Sequence, residues 1–197
     1  MTNNIKKVCV FASSSNEIDE IYFKAAQELG EKLVDADYEV VYGGSRRGLM
    51  YACAGAAQNK GGKIYGIMPQ KIADMGFANP EDCEEFHITK GMRERKALLD
   101  EISDAVITLA GGYGTLEEIS EMIVQKQLGY NNKPLVILNT NNFYKNLILF
   151  FEDTINNRFA IPDSRNLYFV ANTVDEAINY IKTYVAPTEQ ASKYVLK

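Results

Sequence analysis

The chain has 197 residues, 46% hydrophobic and 24% charged, a balance that supports one substantial core and predicts a single domain over residues 1–197. Its net charge of -5, from 21 basic and 26 acidic residues, argues against a nucleic-acid partner, because sequence-independent binders present surplus lysine and arginine to the phosphates. Cys9, Cys53 and Cys83 are far apart and His87 is the one histidine, so neither a disulfide framework, a metal site nor a relay of several imidazoles is indicated. A reducing, cytoplasmic setting is expected. The polar opening lacks the apolar core of a signal peptide, and no run approaches the length of a membrane span, so no membrane partner is expected.

Short β-branched and aromatic runs alternate with segments of helical period. KKVCVF at 6–11 predicts the first strand, followed by a helix from Asp19 to Val34. EVVYGG at 39–44 leads into GLMYACAGAAQNKGG, whose small residues suit a helix packed tightly on a sheet, and KIYGIMP at 63–69 supplies the next strand. Residues 70–84 mix proline, glycine and acids without a period and predict a loop beside the sheet edge. EEFHIT, a helix over Met92 to Ile102, the strand AVITLA and a helix over Thr115 to Leu128 make the central unit. KPLVILN, a helix from Phe143 to Asn156, NLYFVA and a helix from Val174 to Tyr184 follow, and the closing APTEQASKYVLK carries no strong signal. Strands without polar alternation are covered on both faces, which predicts an α/β fold: a three-layer, Rossmann-like, doubly wound, mainly parallel sheet.

In such sheets ligands bind beyond the carboxyl ends of the strands, where this chain places ASSS, GGSRRG and AGGYGT. Ser13 with its neighbours, and Gly43 with Gly44, offer hydroxyls and exposed amides to an anion. The serines also make an ordinary turn, the glycines a left-handed turn, and Arg46 and Arg47 solvated surface. Thr115 and Glu118 have the spacing of a capping box, which accounts for both through helix stability alone. That leaves Gly111, Gly112 and Gly114 unexplained, and these clear side chains from a helix start where a phosphate can approach the backbone. Glu117 and Glu118 project about 100° apart, and Glu118 borders the apolar stripe of Leu116, Ile119 and Ile123, which makes it the carboxylate of the cleft. In GMRERKALLDEI, Arg95 shares the apolar stripe with Leu98, Leu99 and Ile102, as either a buried structural ion pair or a group facing the ligand.

GMRERKA followed by LAGGYGTLEE, with VYGGSRRGLM and FASSS upstream, resembles the Lonely Guy family of nucleoside 5′-monophosphate phosphoribohydrolases over most of the chain. The resemblance implies hydrolysis of the N-glycosidic bond of a purine nucleoside 5′-monophosphate, AMP-like and in some organisms a cytokinin precursor, without a cofactor. It implies Arg95 and Glu118 as the catalytic pair, with Lys96 and the turn Gly111, Gly112, Tyr113, Gly114 and Thr115 in the nucleotide pocket. Glu117 joins the substrate-binding set, and the expected assembly is a homodimer. Arg93, Ala110, and Ser45 with Arg46 depart from the family pattern, which commonly has histidine, proline, and glycine with a small or apolar residue there. A non-catalytic nucleotide-binding or cofactor-carrier protein of the same fold is the alternative. A nicotinamide-dependent oxidoreductase fits poorly, because the first strand ends in ASSSNE and not in a G-x-G-x-x-G turn.

Overall fold

In a computed structural model that describes residues 5–186, seven strands form one parallel sheet. The elements are β1 (Lys7–Phe11), α1 (Glu20–Asp35), β2 (Glu39–Tyr42), α2 (Gly48–Asn59), β3 (Ile64–Pro69), α3 (Gln70–Ala73) and β4 (Glu85–Thr89). They continue as α4 (Met92–Glu101), β5 (Ala105–Thr108), α5 (Tyr113–Leu128), β6 (Leu135–Leu138), α6 (Lys145–Asn156), β7 (Phe169–Ala171) and α7 (Val174–Thr183). The closing segment beyond Ala186 lies outside the described residues.

The strand period of two decides which side chain enters which layer. Val8 and Val10 of β1 face α1, α2 and α7, whereas Cys9 and Phe11 face α4 and α5, and all four are buried. Each fully buried aliphatic side chain of this kind contributes about 1.5–3 kcal/mol of transfer free energy. Helix α1 begins where the Asp19 carboxylate accepts a hydrogen bond from Ile21 N, and it buries Ala26, Leu29, Gly30 and Leu33 along one stripe. Gly30 faces the Cys53 carbonyl of α2 so closely that any Cβ would collide with it, which explains the small residues of that helix pair.

The strand order is β4-β3-β2-β1-β5-β6-β7. The chain therefore winds one way from β1 to β4 and the other way from β5 to β7, and the direction switches between β1 and β5. This is where an open parallel sheet forms its crevice. Two backbone bonds tie the loops on either side: Leu109 N donates to Phe11 O at 2.8 Å and Ser13 N to Ala110 O at 3.1 Å.

The segment expected as a loop is partly ordered into α3 and a strap. Ala78 bridges Ser45 in antiparallel fashion, Asn79 N donates to Gly44 O (3.0 Å) and Arg46 N to Phe77 O (3.3 Å). The order comes from these long-range bonds to the β2–α2 loop, which leave no trace in local periodicity.

Candidate active site

Helix α4 carries Arg95 in its first turns, and α5 carries Glu118; both side chains are buried and meet with Nη1 of Arg95 donating to Oε1 of Glu118 at 2.7 Å. Nε of Arg95 donates to the Ile67 carbonyl of β3 at 3.1 Å. The guanidinium also lies against Gly43, where a Cβ would strike Nη2 and come within 2.9 Å of Met50 Sδ. Gly43 thus provides the space in which Arg95 is seated. Burial pushes the Glu118 carboxyl above the usual carboxylate range, while the charge and hydrogen bond of Arg95 pull it back.

Helix α5 starts two residues earlier than the sequence predicts. Gly112, in extended conformation, takes the cap position, and no side chain caps the helix. Thr115 is buried in the first turn, its Oγ1 occupying the place a Cβ on Gly111 would need. The expected capping box is therefore absent here, and Glu118 bonds Arg95 across the sheet edge in its place. A Thr cap does occur on α7, where Thr173 Oγ1 accepts from Glu176 N at 3.2 Å. Behind the β5–α5 turn, buried Tyr144 donates its hydroxyl to Leu109 O at 2.8 Å and its backbone N–H to Asn139 Oδ1 at 2.8 Å.

A cavity of about 710 Å³ opens at the switch point, and Arg95 and Glu118 lie in its wall. Ser13, Gly43, Gly112, Tyr113, Gly114 and Thr115 also line it. The start of α5 thereby presents to the cavity backbone amides that have no partner within the helix. Ser13 Oγ accepts from Ser15 N and Ser15 Oγ from Glu17 N, both at 3.1 Å, so these hydroxyls shape the turn as well as facing the cavity.

The other sequence candidates lie outside the cavity wall. Gly44 adopts a left-handed φ of +73° against Phe86, and Gly111 lies beneath Thr115. Lys96 pairs with Glu117, and with Glu121 at 2.6 Å, joining α4 to α5 on the outer side. Sequence reasoning did not find the apolar wall formed by Met50, Met68, Met75 and Met92 with Ile72 and Phe77. These residues come from α2, β3, α3, the strap and α4 and share no spacing, so only the folded chain brings them together.

The family model described as "possible lysine decarboxylase" matches residues 50–181. A cytokinin riboside 5′-monophosphate phosphoribohydrolase of Arabidopsis thaliana is 36% identical over 182 residues, covering 92% of this chain and 79% of that protein. The chain belongs to the Lonely Guy family. The cytokinin riboside 5′-monophosphate phosphoribohydrolase of Rhodococcoides fascians is 34% identical over 178 residues, covering 90% of this chain and 90% of that protein. Among solved structures, the molybdenum cofactor carrier protein of Chlamydomonas reinhardtii superposes with a TM-score of 0.68 at 20% identity, over 91% of this chain and 97% of that one. The molybdenum cofactor binding protein of Rippkaea orientalis gives 0.69 at 23% identity, over 91% and 97%. At that identity the likeness concerns the fold, whereas the Lonely Guy relatives share sequence along nearly the whole chain.

Proposed function

We propose that this protein hydrolyses the N-glycosidic bond of a purine nucleoside 5′-monophosphate to the free base and ribose 5-phosphate. The observation that carries the reading is the buried Arg95–Glu118 pair, set in the wall of a cavity whose floor is the unobstructed start of α5. The helix start and Thr115 receive the phosphate, and the methionine-lined wall receives the base.

As the bond from C1′ to the base nitrogen lengthens, its electron pair leaves with the base and positive charge develops on the ribose ring. The Glu118 carboxylate stabilises that charge and directs water onto C1′; the water oxygen bonds to carbon, and the base takes up a proton. Arg95 keeps Glu118 ionised and aligned, and its second anchor on Ile67 O fixes that alignment to β3. Lys96 and Glu117 act indirectly, by fastening α4 to α5 so that Arg95 and Glu118 meet.

The named substrates of the relatives make a cytokinin riboside 5′-monophosphate the first substrate to test. A homodimer belongs to this reading: Val124 and Leu128, one turn apart on α5, and Leu149 and Phe150 on α6 expose apolar surface suited to a second copy. The free thiols of Cys9, Cys53 and Cys83 favour a cytoplasmic setting.

Incubating the protein with AMP, GMP, CMP, UMP and isopentenyl-adenosine monophosphate, with assay of free base and ribose 5-phosphate, tests the activity. Release from the purine nucleotides is expected. Tight binding of a nucleotide without release would favour the carrier alternative.

A further inference from the structure

The cavity's charge balance singles out a residue to which the proposed reaction gives no role. Its charged wall residues are Arg47, Arg95 and Glu118. Arg95 and Glu118 neutralise each other at 2.7 Å. Arg47 is left as the uncompensated charge: among the described residues no carboxylate pairs with it, and its guanidinium rests 5.0 Å from the centre of the Phe77 ring. Its neighbour in sequence behaves in the opposite way. Arg46 turns outward, its Nε donating to Asn79 Oδ1 and its Nη2 pairing with Glu81 at 3.0 Å.

The two arginines thus divide the work. Arg46 and Asn79 bind the strap that carries Phe77 to the β2–α2 loop, and Phe77 then gives Arg47 a flat apolar seat at the cavity. The start of α2 is already satisfied, since Gly48 N donates to Asn16 Oδ1 (2.9 Å) and Leu49 N to Ser13 O (2.9 Å). Arg47 occupies the cap position of that helix without making a side-chain cap bond, so its charge serves no purpose in the helix. A phosphate monoester carries between one and two negative charges near neutral pH and favours a guanidinium fork.

We propose that Arg47 is a specificity-determining residue that grips the phosphate of the ligand and sets the preference for phosphorylated over unphosphorylated ribosides. The assignment of the cavity to a ribosyl phosphate rests on the function proposed above, and the contact itself is testable without turnover.

Titration calorimetry of the full chain with ribose 5-phosphate, ribose and inorganic phosphate compares wild type, Arg47→Gln and Arg47→Lys. Ribose 5-phosphate is expected to bind wild type, with affinity reduced about tenfold in Arg47→Gln and about threefold or less in Arg47→Lys. Ribose should bind both Gln variant and wild type equally weakly. Inorganic phosphate binding as tightly as the sugar phosphate would place the whole preference in an anion site, with the same dependence on Arg47. For turnover, Arg47→Gln should raise KM for the nucleotide about tenfold and change kcat much less. Melting curves for the Gln variant should match wild type, because the side chain is exposed and makes no cap bond. Ribose 5-phosphate binding Arg47→Gln as tightly as wild type, or binding wild type no better than ribose, overturns the assignment. Binding that depends on Arg47 in a protein with no hydrolysis would leave the assignment standing and remove the reaction.

Discussion

Arg95 and Glu118 form a buried ion pair in the cavity wall, and the proposed reaction also makes them its chemical centre, so the two roles of each must be separated by the choice of substitution. Glu118→Gln keeps an oxygen for the Arg95 hydrogen bond but removes the charge that the proposed reaction sets against the developing oxocarbenium ion. It is expected to lower kcat by about 100-fold or more while the protein remains folded, as checked by ribose 5-phosphate release beside a melting curve. Arg95→Ala leaves a carboxyl buried without its partner and is expected to lose about 3 kcal/mol of stability as well as activity, measurable by denaturant unfolding. The direction of the Glu118 shift also fixes a pH dependence. If the ionised form does the work, the acid limb of kcat/KM lies above the usual carboxylate range, and a limb at or below that range would contradict the role. For stability the sign runs the other way: between the ordinary carboxylate value and the raised one the native state holds more protons than the unfolded chain. Stability therefore falls as pH rises through that window, and Glu118→Gln should flatten this slope.

The strap over residues 74–84 depends on one side chain more than on its own local preferences. Asn79 is fully buried and donates through Nδ2 to the Tyr42 hydroxyl at 3.0 Å, while its Oδ1 accepts from Arg46 and its carbonyl from Cys83 Sγ at 3.2 Å. Asn79→Ala leaves Tyr42 and Arg46 without that partner, at a cost of about 1–3 kcal/mol. Faster amide exchange confined to the strap, with a higher KM, is the expected result; unchanged exchange would mean that backbone pairing alone holds it. This bonding pattern also explains what could be read from the sequence. The strands and long helices were legible because a two-sided core requires uninterrupted apolar strands and helical stripes such as Ala26, Leu29 and Leu33. The strap was not, because Asn79 and Phe77 are held by partners more than thirty residues away in sequence. At the site, the inward positions of Arg95 and Glu118 followed from helical spacing, but their mutual bond did not, since no spacing rule links two helices. The capping box failed for a related reason: Gly112 can end the turn without help, which freed Thr115 to fill the space over Gly111.

At the scale of the whole molecule, buried titratable groups outside the cavity wall contribute to how stability responds to alkali. Lys126, nearly fully buried toward the end of α5, donates to Lys133 O at 2.8 Å, and burial pulls its amine down to about 8. Between that value and the ordinary 10.5 the unfolded chain holds a proton that the native state has given up, so stability attributable to Lys126 rises with pH across this interval. Burial acts in the opposite sense on the thiols: Cys53 is pushed up to about 12 and Cys9 is raised still further, so the native state keeps protons that the unfolded chain loses above about 9. Above about pH 9 the slope from Lys126 and the slope from the thiols therefore oppose each other. Lys126→Met removes the rising component and leaves the thiols in place. Urea unfolding from pH 7 to 10.5 should show the variant more stable than wild type at pH 7, by at most about 3 kcal/mol, with the advantage shrinking as the pH climbs. A constant difference between the two proteins across that range would mean that Lys126 keeps its ordinary proton affinity despite its burial, with water or a moving carbonyl solvating the charge.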